Sequence, residues 1–114
     1  MRRFSILILL LLVPVIANAQ PYHVGGDVKA PVVLKHVNPM YPELARRNKV
    51  SGLVVMDVVI DRTGALKDIN VTKPLPDGLS EAAVDAVKQW TFAPGTLNGK
   101  PVDVIFSLTI NFKL

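Results

Sequence analysis

No cysteine occurs anywhere in the chain. Disulfide staples are therefore excluded, thiolate zinc sites with them, and so is a lipid-modified cysteine at a processing site. Histidine is nearly as scarce. His23 and His36 are the only two, and no third ligand stands at metal-like spacing from either. Ser51, Ser80 and Ser107 lack the strand-to-helix elbow that exposes a nucleophile; Ser80 reads instead as a helix cap. Asp57 sits on a strand face without a partner carboxylate, and Gly25-Gly26 lacks the strand–loop–helix context of a phosphate loop. The chain is therefore read as non-enzymatic, with no cofactor, no metal and no small-molecule substrate.

A strong charge of one sign is missing too. The net charge is +4, and two of those charges, Arg2 and Arg3, lie at the very start. Without them the remainder carries +2, dispersed along the sequence, which gives no footprint for nucleic acid.

Long apolar runs are confined to one place. Arg2 and Arg3 precede an apolar stretch over residues 4–16, and Ala17-Asn18-Ala19 supplies the small-x-small pattern of a cleavage site. As a helix that stretch rises only about 20 Å, against about 30 Å of hydrocarbon. Residues 1–19 are therefore expected to be a signal peptide, cut between Ala19 and Gln20. The product is exported, and inner-membrane association follows only if the signal is kept. Removing 19 of 114 residues leaves 95, enough for one modest core.

Residues 20–31 hold Pro21, Pro31 and Gly25-Gly26, and are expected to be an extended lead-in. Residues 32–114 form the domain. Pro42 suits the first position of a short helix ending in Arg46, Arg47 and Lys49, with Asn48 as a left-handed stop. From Gly52 to Asp61 the chain is valine-rich, with Val54, Met56, Val58 and Ile60 on one face. Its other face is largely apolar too, which predicts a central strand. Asp61-Arg62-Thr63-Gly64 predicts a hairpin turn. The returning strand, residues 66–72, changes parity between Leu66 and Ile69, which predicts a bulge near Lys67-Asp68. Leu79, Ala83, Ala86 and Trp90 make one apolar stripe on a helix over residues 79–90. Trp90 and Phe92 are expected to anchor that helix to the sheet. After a tight turn at Leu97-Asn98-Gly99-Lys100, residues 102–114 alternate without a break on the apolar side. Val104, Phe106, Leu108 and Ile110 lie on that side; Ser107, Thr109 and Asn111 lie on the polar side, interrupted only by Ile105.

The predicted order is helix, strand, strand, helix, strand: an α+β fold with two helices packed on a three-stranded antiparallel sheet. Such a sheet has two edges with unpaired N–H and C=O groups. The last strand then reads equally as a structural strand or as a dock for an extended peptide.

Several pieces together resemble the TonB C-terminal domain family. These are Tyr41-Pro42 before the first helix, the hairpin from Gly52 and Val54 to Ile60-Asp61 and Gly64, and the helix end Ala86-Val87-Lys88-Gln89-Trp90-Thr91-Phe92-Ala93-Pro94. Asn98-Gly99-Lys100-Pro101-Val102 before the alternating strand completes the match, which spans residues 32–114. The resemblance implies a periplasmic protein of energy-transducer type, serving transmembrane transport. It implies too that the last strand, residues 104–111, pairs with an extended segment of an outer-membrane receptor. Tyr41 and Pro42 fall in the segment associated with partner contact. A homodimer through the same edge is a further expectation. Two departures stand out. Residues 4–19 contain no ionisable group, where the family's transducers carry a functional histidine in a membrane helix. Residues 20–31 have two prolines in place of a long proline-rich rod. A soluble periplasmic interaction module without energy coupling therefore stands as the alternative.

Overall fold

The structure, a computed structural model, describes residues 20–114; the expected signal peptide, including Ala17 and Ala19, lies outside them. In chain order the elements are β1 (Tyr22–His23), β2 (Val28–Lys29), β3 (Val32–Lys35), α1 (Glu43–Arg47), β4 (Gly52–Ile60) and β5 (Leu66–Lys73). There follow α2 (Leu79–Lys88), β6 (Thr91–Ala93), β7 (Thr96–Leu97), β8 (Lys100–Pro101) and β9 (Val104–Phe112).

β4 is the centre, as its two apolar faces require. It pairs antiparallel with β5 on one side and with β9 on the other. Val54, Met56, Val58 and Ile60 are wholly buried on one face. At about 1.5–3 kcal/mol each, their burial is a major stabilising term for a small domain. Against that face lie Ala45 of α1 and Leu79, Ala83 and Val87 of α2, so both helices cover the same side of the sheet. The expected α+β architecture is present, with its three long strands antiparallel. A fourth, two-residue strand widens the main sheet, whose order is β1-β9-β4-β5. The residues read as an extended lead-in supply that strand and β2, which pairs with β7.

The β4–β5 turn is built by Asp61. One of its carboxylate oxygens accepts hydrogen bonds from the N–H groups of Thr63 (2.8 Å) and Ala65 (3.0 Å) and from the Thr63 hydroxyl. The Thr63 hydroxyl, with the Ala65 and Thr63 N–H groups and nearby Lys67, holds the Asp61 carboxyl below the ordinary carboxylate range. Gly64 is required twice over: its φ is +88°, and a Cβ there would stand 2.5 Å from the Phe92 carbonyl oxygen. The expected bulge falls at Lys67, where the register passes from Val59↔Asp68 to Ile60↔Leu66; a second, at Thr72, was not expected.

Several local expectations are corrected. Ser80 does not cap α2. The helix starts after Gly78 (φ +85°), and the Ser80 hydroxyl instead accepts from the Leu75 N–H at 2.8 Å and donates to the Leu75 carbonyl at 2.9 Å. α2 ends at Lys88, two residues early. Pro42 stands just before the first helical residue, and Lys49 (φ +53°), not Asn48 (φ −83°), takes the left-handed conformation. The Asn48 side chain is drawn to Asp77 at 2.9 Å, a contact invisible to local sequence. The last strand is trimmed to residues 104–112, because Lys100 and Pro101 turn back on β7. Phe92 is buried as expected, but Trp90 is only half-buried. Its indole N–H donates to the Val37 carbonyl at 2.8 Å and its ring lies 4.4 Å from His36, so it ties the segment before α1 to the end of α2.

Candidate protein-binding edge

β9 runs opposite β4 for nine residues, from Gly52↔Phe112 to Ile60↔Val104, with no shift of register. That regularity follows from the sequence: residues 104–112 contain no proline, glycine or charged residue. Val104, Ile110 and Phe112 are buried, and Phe106 and Leu108 pack partly buried against the same core. Phe106 meets Phe92 edge-on at 6.2 Å. Ser107, Thr109 and Asn111 are exposed on the far face, and Ile105 is half-buried there. The Ser107 hydroxyl donates to Asp57 at 2.9 Å across the β4 pair, which gives Asp57 a structural role.

Both ends of β9 are pinned. At the start, Asp103 accepts the Arg62 N–H at 2.8 Å and faces the Arg62 side chain at 3.8 Å, while the Val102 N–H donates to the Gly95 carbonyl at 3.0 Å. At the far end the Tyr41 ring meets Phe112 edge-on at 5.6 Å. The Tyr41 hydroxyl donates to the Val50 carbonyl, and the Arg46 guanidinium sits 5.9 Å from the ring centre. The structure thus brings Tyr41 to the end of the candidate strand. Pro42 turns away toward Gly78 and lines a recess of about 540 Å³ with Val37, Pro39, Met40, Glu81 and Ala82, none of them in β9. Gln20 is exposed and outside any strand.

The orientation of β9's backbone groups follows from one hydrogen bond. The Tyr22 N–H donates to the Asp103 carbonyl at 2.8 Å, so that carbonyl faces away from β4. Backbone groups alternate along a strand. The N–H and C=O groups of Ile105, Ser107, Thr109 and Asn111 therefore face the outer edge, and those of the even-numbered residues face β4. At residues 104–105 the outer edge is taken by β1, in parallel; past that point no strand among the described residues pairs with it. Tyr22, His23 and Asp103 were not legible as site residues, because a two-residue strand carries no periodicity.

Among the described residues no group of three or more His, Cys, Asp or Glu lies close enough to hold a metal ion, and no helix is long and apolar enough to cross a membrane. The molecule is, by fold and exposed features, an α+β domain whose antiparallel sheet keeps one long regular edge. Comparison with known proteins makes the assignment narrower. Residues 37–114 match the family model described as Gram-negative bacterial TonB protein C-terminal, and the chain belongs to that family. It is 33% identical over 87 residues to Protein TonB of Vibrio cholerae, covering 75% of this chain and 36% of that protein. It is 39% identical over 77 residues to Protein tonB2 of Pseudomonas aeruginosa, covering 67% and 28%. The chain thus spans about a third of the length of these relatives. The solution NMR structure of the Pseudomonas aeruginosa TonB C-terminal domain superposes with a TM-score of 0.59 at 25% identity, covering 82% of this chain and 93% of that one.

Proposed function

We propose that this protein is a periplasmic TonB-like domain of energy-transducer type, which binds an extended segment of an outer-membrane receptor by β-strand pairing and so serves transmembrane transport. Its work is binding, not catalysis. The observation that carries the reading is the outer edge of β9: an unshifted strand whose outward backbone groups, among the described residues, have no strand beside them over residues 106–112. Main-chain hydrogen bonds along such an edge supply affinity with little demand on side chains. Membership in the TonB C-terminal family supports the choice of partner. The test is amide exchange on the purified protein, with and without synthetic peptides from periplasm-facing segments of outer-membrane receptors. Added protection at Ser107, Thr109 and Asn111 is the expected result. Protection confined to other segments contradicts the proposed edge.

One observation favours a second reading. Residues 4–19 contain no ionisable group, so no proton relay runs through them. In that reading the domain binds envelope partners, or a second copy of itself through the same edge, without coupling energy. Co-purification with a β-barrel receptor separates the two: its presence favours transport, and its absence alongside other captured envelope proteins favours the plain interaction module.

A further inference from the structure

The outer edge of β9 has two unequal parts. Tyr22–His23 occupies the first, opposite Val104 and Ile105. The Tyr22 N–H reaches the Asp103 carbonyl, and the parallel register sets the Ile105 N–H against the Tyr22 carbonyl. The chain then leaves the edge abruptly. Gly25 and Val28 exchange N–H···O bonds of 3.1 and 3.0 Å in a tight turn, and Val28–Lys29 runs on as a partner of β7. The Asn98 N–H donates to the Asp27 carbonyl at 3.3 Å. Packing here is close: a Cβ on Gly95 would stand 2.5 Å from Val104 Cγ2 and 2.7 Å from the Lys29 carbonyl oxygen. Tyr22–His23 is therefore tethered a few residues from a firm anchor and is not free to slide along β9.

An edge that pairs through its main chain has a weakness. Strand registers two residues apart present the same hydrogen bonds and the same faces. The exposed side chains along this edge, Ser107, Thr109 and Asn111, are all small or short and polar, and distinguish such registers poorly. Something else must mark where the incoming strand ends. We propose that Tyr22–His23 is a register stop: it fills the start of the β9 edge, so that the extended receptor segment pairs only with residues 106–112 and enters in one register. The inference rests on the reading of β9 as the docking edge. Tyr22 and Val24 are 47% and 48% exposed, so apolar surface stays open to solvent at the stop. The receptor segment that fits is an extended one that ends where Tyr22–His23 begins.

The test uses the full chain, its Tyr22→Pro variant, which removes the N–H bonded to Asp103, and a synthetic receptor peptide spin-labelled at one end. In the free wild-type protein the Ile105 amide exchanges slowly, and Ser107, Thr109 and Asn111 exchange quickly. Peptide slows those three by about tenfold or more, leaves the Tyr22 amide unchanged, and broadens resonances at a single place on β9. In Tyr22→Pro the Ile105 amide quickens when free and slows again with peptide, and the broadening spreads over more than one register. Faster exchange at Tyr22 on adding peptide to the wild type overturns the proposal, since the segment is then displaced and is a competitor, not a stop. Ile105 exchanging as fast as Thr109 in the free wild type overturns it too, as does an unchanged peptide register in the variant. The wild-type outcomes do not depend on the variant folding. No slowing at Ser107, Thr109 and Asn111 in either protein refutes the docking edge itself, and the stop falls with it.

Discussion

The sheet has two outer edges, and they are built differently. β5 is bulged at Lys67 and again at Thr72, and carries Lys67, Asp68 and Lys73, with Pro74 directly after it. Bulges, charges and a nearby proline are the devices by which proteins keep an edge from pairing with other chains. β9 has none of them within its nine residues. Among the described residues its only protection is β1, and only at one end. The same core face serves both strands, so burial does not explain the difference. One edge is closed by its own covalent structure, and the other is left regular. An edge kept regular at a small domain's risk of self-pairing fits the strand-binding function proposed for it.

The contrast is most severely challenged by a change that strikes both edges at once. Phe92 is buried and touches Trp90 and Phe106. Phe92→Ala is expected to cost about 3–5 kcal/mol, a large share of the stability of a domain this size. Thermal unfolding and amide exchange check it. Exchange should quicken along β5 and β9 together, since they share one cooperative core; loss on one side alone breaks that picture.

Thr109→Pro separates binding from folding. The Thr109 N–H faces outward, so proline removes no bond to β4 but blocks an incoming strand. Receptor-peptide affinity should fall by at least about tenfold, with the melting temperature within a few degrees of the parent. Leu108→Pro, whose N–H faces β4, should unfold the sheet. Exchanged behaviour of the two variants would mean that the alternation is assigned the wrong way round, and equal behaviour would mean that binding and folding are not separated along β9.

A smaller effect belongs to the β5 side. Gly64→Ala meets both a positive φ and the Phe92 carbonyl, and should cost about 1–3 kcal/mol by chemical denaturation. Receptor-peptide binding by the folded variant should be unchanged, because the turn lies at the β4–β5 hairpin and not on the open edge.

The smallest effect is in pH. Asp61 has a lowered pKa in the folded protein, mainly through the Thr63 hydroxyl. A lowered carboxylate pKa stabilises the fold above the unfolded value of about 4, and that contribution is lost as pH falls through the folded value. Acid titration followed at the Thr63 and Ala65 amides should show the β4–β5 turn loosening in that window. Asp61→Asn should flatten the response.

How much of this was legible beforehand differs between the edges as well. The bulge at Lys67 announces itself in the changed parity between Leu66 and Ile69. The open strand announces itself in the alternation from Val104 to Phe112. The second bulge, at Thr72, left no mark, because Ile69 and Val71 keep the same parity and the skipped residue is polar. The register stop left none either.

By itself the sequence determined what is local. The period of two in β4 and β9 and the stripe on α2 were set by which residues are apolar. The turns at Gly64 and at Asn98-Gly99 were set by the backbone freedom that those residues allow. Such patterns depend on neighbours a few positions away and survive without knowledge of the rest. Only the tertiary structure decided that Tyr22–His23 lies beside β9, that Trp90 holds the Val37 carbonyl across 53 residues, and that Ser80 binds Leu75 instead of capping its helix. These contacts satisfy main-chain groups, which every residue but proline carries alike. Which N–H meets which C=O is settled by where the packed core brings the chain back on itself.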